Sequence, residues 1–122
     1  MAITYTIIKK DRYLLITASG KDDNLEEVES YGMAVIQAAI ENRVTHILCD
    51  ERQLEYALGT FDIFESARFI AEHVPSLAKT AIVSGSNESQ DVAFWETVAV
   101  NRGLHVKMFK DFDSAETWLL AQ

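Results

Sequence analysis

The chain opens with two runs rich in β-branched and aromatic residues, Ile3–Lys9 and residues 13–19, separated only by the polar Lys10, Asp11 and Arg12. Such a pair predicts an antiparallel β-hairpin. Residues 20–24 read as a polar loop, and Asn24 with Glu27 has capping-box spacing for a helix over Leu25–Glu41. On a helical wheel Leu25, Val28, Gly32, Val35, Ile36 and Ala39 share one face, and Glu26, Glu27, Ser30, Gln37 and Glu41 take the other. Residues 44–49 form a short apolar run ending at Asp50, the pattern of a strand covered on both faces. An irregular stretch, 51–59, leads to Thr60 as N-cap of a second helix that ends near Val74, because Pro75 disfavours helical geometry before it. Residues 80–84 predict a further strand, followed by the turn Gly85, Ser86, Asn87 and a third helix over 88–102 that Gly103 stops. Residues 104–110 predict the last strand. Asp113 and Glu116 have capping-box spacing for a final helix that buries Ala115, Trp118 and Leu119.

The order β-β-α-β-α-β-α-β-α predicts an α/β fold: a mixed, mostly parallel five-stranded sheet with four helices and right-handed crossovers. At 122 residues, with no repeat, low-complexity run or linker and one proline, the chain reads as a single domain spanning 1–122. Its 48% hydrophobic and 25% charged residues support a packed core rather than disorder.

Charge narrows the partners. A net charge of −8 opposes nucleic-acid binding and docking on anionic membranes, since both start from clustered lysine and arginine. No stretch approaches the roughly 18 apolar residues of a membrane span, and the N-terminus lacks a signal-peptide pattern, so the expected location is cytoplasmic. The lone Cys49 excludes an intrachain disulfide and sits in an apolar strand, where a thiol behaves as a small hydrophobe. His46, His73, His105 and Cys49 lack metal-ligand spacing, and no nucleophile elbow occurs. No cofactor is implied.

The carboxyl ends of the strands are where open α/β sheets seat ligands. Here they carry Asp50, Glu51 and Arg52, then Ser84, Gly85, Ser86 and Asn87, then Lys110 and Asp111. Asp50 directly follows a buried strand and is a candidate ligand or catalytic carboxylate, alternatively a partner for Arg52 or for loop amides. The Gly85-Ser86-Asn87 turn offers amides to an anion or simply caps the next helix. Asp22, Asp23, Asp50, Ser84 and Lys110 superficially resemble a response-regulator receiver. Only 27 positions separate Asp23 from Asp50, too few for the βα unit that a receiver places there.

The segments Lys79-Thr80-Ala81-Ile82-Val83, Phe94-Trp95-Glu96, Asn101-Arg102-Gly103, Phe109-Lys110-Asp111 and Ala115-Glu116-Thr117-Trp118-Leu119, with the element order, resemble the STAS domain. The likeness is to the small stand-alone STAS-like, SpoIIAA-like bacterial proteins grouped with lipid-binding SEC14 domains. The resemblance implies a protein-interaction or ligand-sensing module without catalysis. It also implies a phosphorylated serine in an Asp-Ser-Ser/Gly-Gly motif before the second helix, where this chain has Leu58-Gly59-Thr60-Phe61. That motif is absent, so the phosphoswitch does not carry over.

Hydrophobic residues are in excess of what one sheet face needs. Ile63, Phe64, Ala67, Ile70, Ala71 and Val74 already complete a core face on the second helix, yet Phe69 falls on its other side. Tyr56, Leu58, Thr60 and Phe61 cluster at the start of that helix, and Thr60 is a candidate regulatory hydroxyl. This surface predicts a protein partner or a homodimer. The alternatives are a small-ligand or lipid sensor, and an enzyme acting through Asp50 and Ser84 at the strand ends.

Overall fold

The structure, a computed structural model, describes residues 3–74, 78–85 and 89–121. It contains β1 (Ile3–Lys9), β2 (Leu14–Asp22), α1 (Leu25–Glu41), β3 (His46–Tyr56), α2 (Thr60–His73), β4 (Lys79–Ser84), α3 (Ser89–Asn101), β5 (Val106–Phe109) and α4 (Phe112–Leu120). The five strands lie side by side in chain order. β1 is antiparallel to β2, and every later pair is parallel, as the alternation of strand and helix patterns requires.

Side-chain alternation along the strands divides the interior into two layers. Ile16, Ile47, Cys49 and Ile82 face Val35 of α1, Ala67 of α2 and Ala99 of α3. Leu48, Ala81 and Val83 face the other way, onto Ala115 and Leu119 of α4. Both faces of β3 and β4 are thus covered, which is why their sequences are continuous apolar runs. α2 packs chiefly against α1 and α3 rather than against the strands. On the outer edge of the sheet, the N–H of Met108 in β5 donates to the Glu96 carboxylate of α3 at 2.7 Å.

Local signals set several boundaries. Asn24 caps α1, its side chain accepting from the Glu27 amide at 3.0 Å. Gly103 has φ 95°, the left-handed conformation that ends α3. Other boundaries need correction. Thr60 is the first residue of α2 and Gly59 its N-cap, without a side-chain cap bond. The N-cap of α4 is Asp111, which accepts from the Ser114 amide at 2.8 Å, and not Asp113. Trp118 is half-buried, its ring covered by Lys79 Nζ at 4.5 Å, a cation–π contact.

The largest correction is to residues 20–24 and 51–59. β2 continues through Asp22 and β3 through Tyr56, because Ser19, Gly20, Lys21 and Asp22 pair with Gln53, Leu54, Glu55 and Tyr56. Polar side chains hid this extension, since neither strand has an apolar pattern there. The register also shifts. Thr17 and Ser19 are two steps apart, while their partners Asp50 and Gln53 are three, so β3 carries one extra residue. A bulge of this kind re-aims the side chains that follow it.

Leu48 is fully buried between the sheet and α4, whereas Ile8 on β1 is 49% exposed. Leu48→Ala is expected to lower the unfolding free energy by about 2–5 kcal/mol. Ile8→Ala is expected to change it by less than about 0.5 kcal/mol. Urea denaturation of both variants checks this; equal costs would contradict the assigned core.

Candidate functional site

The bulge decides which side chains meet. In a regular strand Glu51 and Tyr56, five residues apart, would point to opposite faces. With the extra residue they converge: Tyr56 Oη donates to Glu51 Oε1 at 2.7 Å. From α1, Tyr31 Oη donates to Glu51 Oε2 at 2.8 Å. Both carboxylate oxygens are therefore held, and Glu51 is only 8% exposed. The Tyr31 ring is itself braced by the Tyr5 ring of β1, centroids 5.4 Å apart.

These groups close one end of a cavity of about 130 Å³ between the sheet and the three helices α1, α2 and α3. Its walls are mainly aliphatic, including Val35 of α1, Leu54 of β3, Ile63 of α2 and Ile82 of β4. Gly32 of α1 contributes to the wall by lacking a side chain, since an added Cβ would collide with Ile70 Cδ1 of α2. Trp95 of α3 also lines it, with Nε1 donating to Ser66 Oγ at 3.0 Å, while Ser66 donates on to the Ile63 carbonyl. Asp22 lies at the same polar end, its Oδ1 accepting from the Ala57 amide at 2.7 Å.

Burial dominates the electrostatics. It pushes the Glu51 carboxyl above the usual glutamate range, against the pull of the two tyrosine hydrogen bonds. Asp22 is pushed up to about 7, first by burial and then by the Glu51 charge, with the Ala57 amide opposing. Burial likewise raises the thiol of Cys49, which is buried on the same face of β3. Among the described residues no group of three or more His, Cys, Asp or Glu side chains is placed to hold a metal ion.

The strand-end residues are arranged differently. Asp50 points to the α4 side of the sheet, where Arg52 Nε and an Arg52 terminal nitrogen donate to its two oxygens at 2.9 and 2.8 Å. That forked pair holds the Asp50 carboxyl below the usual aspartate range. Ser84 is buried, its hydroxyl reaching the Phe109 carbonyl at 3.4 Å. Neither Asp50 nor Ser84 lines the cavity. Ser86, Asn87 and Pro75 lie outside the described residues.

The partner-surface candidates group around the entry to α2. Tyr56 and Leu58 are half-buried and line the cavity, Thr60 is exposed, and Phe61 is 72% exposed. Phe69 is half-buried further along α2, its ring stacked on His73 at 4.2 Å. The sequence names Glu51 as a strand-end residue and Asp22 within the receiver-like set, but it neither brings the two together nor points to Tyr31. The available signal was a glutamate and an aspartate next to apolar strands with tyrosines in reach, but their convergence depends on the bulge.

No protein-family model and no curated protein matches the sequence. Solved structures do match its fold. An anti-sigma factor antagonist from Mycobacterium paratuberculosis superposes with a TM-score of 0.68 at 15% identity, over 98% of this chain and 95% of that one. The fold is STAS-like. An uncharacterized DUF3478 protein with a SpoIIAA-like fold from Shewanella loihica PV-4 gives a TM-score of 0.54 at 20% identity, over 97% and 94% of the two chains. The anti-sigma factor antagonist SpoIIAA in its unphosphorylated form gives 0.51 at 14% identity, over 93% and 94%. Within the STAS-like fold, the Leu58-Gly59-Thr60-Phe61 stretch opens α2, with the cavity behind it and solvent in front. Among the described residues no helix is long and apolar enough to cross a membrane.

The raised Asp22 value makes stability pH-dependent. The folded state keeps a proton on Asp22 up to about pH 7. An unfolded aspartate loses its proton near 3.9. Between those values the folded state binds more protons, so this contribution is complete below pH 4 and fades as pH rises through 7. Asp22→Asn retains an oxygen for the Ala57 amide but cannot ionise. Its melting temperature relative to wild type is expected to rise between pH 5 and about pH 7 and to level off above that. Parallel melting curves for the two proteins across that range would contradict the assignment.

Proposed function

We propose that this chain is a non-enzymatic interaction module that engages a protein partner through the start of α2. The observation that carries this reading is Phe61. It is the most exposed large hydrophobic side chain of the described residues, and it sits in the first turn of α2 beside Thr60 and Leu58. An aromatic ring in water beside half-buried apolar neighbours is the composition of an interface centre. Tyr56 and Phe69 extend the surface on either side along the chain. The STAS-like fold, shared with two anti-sigma factor antagonists, supports a regulatory role for such a surface. The net charge of −8 favours a partner with a basic face.

The catalytic alternative has less support. Asp50 is committed to Arg52, and the Ser84 hydroxyl faces a carbonyl rather than a base. Both side chains lack the mutual geometry of an activated nucleophile.

The surface is tested by capture from the native host's lysate with wild type, Phe61→Glu and Ile40→Glu, Ile40 being a 53% exposed residue near the far end of α1. A partner retained by Ile40→Glu and weakened by about 2 kcal/mol or more in Phe61→Glu is the expected outcome. A partner held equally by folded Phe61→Glu contradicts the assigned surface. Light scattering of the purified chain identifies the case in which the partner is a second copy.

A further inference from the structure

We propose that the cavity beneath α2 binds a compact organic cation, an aliphatic or aromatic amine about the size of a substituted benzene ring, with its ammonium group paired to Glu51. The volume fits such a guest. At about 130 Å³ the cavity is close to the roughly 150 Å³ apolar cavity known to admit benzene. Val35, Leu54 and Ile63 supply an aliphatic bed for the apolar body.

The charge of the lining selects the head group. Among the described residues the wall carries three carboxyl side chains, Asp22, Glu51 and Asp91, and no lysine, arginine or histidine. A buried carboxylate ordinarily has a cationic or metal partner. Glu51 has only the two tyrosine hydroxyls, which occupy two of its roughly four lone-pair sites. An ammonium group of suitable size supplies the missing charge and can donate hydrogen bonds to those remaining sites. The rings of Tyr31, Tyr56 and Trp95 line the same space. Aromatic faces beside a carboxylate are the chemistry that recognises alkylammonium groups. The same field disfavours an anion such as a carboxylate or phosphate.

This site is independent of the α2 surface: an unchanged partner in Phe61→Glu leaves it standing, and failure of amine binding leaves the partner surface standing. The test is a titration of the full chain with benzylamine, benzyl alcohol and phenylacetate, read by amide chemical shifts. Benzylamine is expected to perturb the amides of Glu51, Tyr56 and Val35, and to bind at least an order of magnitude more tightly than benzyl alcohol. Phenylacetate is expected to leave those amides unmoved. Glu51→Gln removes the charge while keeping the side-chain length, and is expected to erase the advantage of the amine over the alcohol. The wild-type comparison decides the matter even if Glu51→Gln does not fold. Equal binding of all three compounds, or amine-induced shifts confined to acidic surface residues, overturns the proposal. So does the absence of any shift at the cavity amides at millimolar benzylamine.

Discussion

One extra residue in β3, between the pairs Thr17–Asp50 and Ser19–Gln53, governs the arrangement of everything around α2. Before it, strand alternation sends Cys49 to one layer and Leu48 to the other. Glu51, two residues beyond Cys49, shares its layer, and after the extra residue the parity is reset so that Leu54 and Tyr56 face the helices α1 to α3 as well. A strand bulge weakens the local ladder, and here the loss is offset by hydrogen bonds that cross between elements. Tyr56 and Tyr31 tie the end of β3 to α1 through the Glu51 carboxylate. Asp22 ties the end of β2 to the start of the β3–α2 connection through Ala57.

Those ties shape the space above the sheet. α2 rests on its neighbours α1 and α3, with Gly32 leaving room for Ile70 and Ser66 receiving the Trp95 indole. Beneath it the polar end of the cavity keeps carboxyl groups in an apolar setting, where their ionisation is costly and sensitive to any nearby charge. In front of it Phe61 meets solvent. Tyr56 and Leu58 belong to both regions, so the entry to α2 borders the cavity on one side and the proposed partner surface on the other.

The sequence was legible where one local signal governs one element. Asn24 marked the start of α1 because its side chain caps the first turn, and Gly103 marked the end of α3 because φ there is positive. The apolar runs of β3 and β4 announced themselves because both faces are covered. Pairing of Ser19–Asp22 with Gln53–Tyr56 was invisible, since those polar residues are held as strands by a neighbour distant in sequence rather than by their own propensity. The same non-local cause hid the cavity's polar end. Asp50 drew notice as the carboxylate nearest a strand end, yet Arg52, two residues on, neutralises it. Glu51, its immediate neighbour, points to the opposite layer and has tyrosines in place of a cation.

Glu51 is a buried carboxyl held by two tyrosines and, among the described residues, without a countercharge. Carbon-13 NMR of its side-chain carboxyl, followed against pH, tests this directly. The account predicts a midpoint clearly above the roughly 4.3 of an ordinary glutamate. A midpoint at or below that value would mean that Glu51 is solvated or already paired with a cation, and would contradict both the packing of the cavity and the ligand chemistry drawn from it.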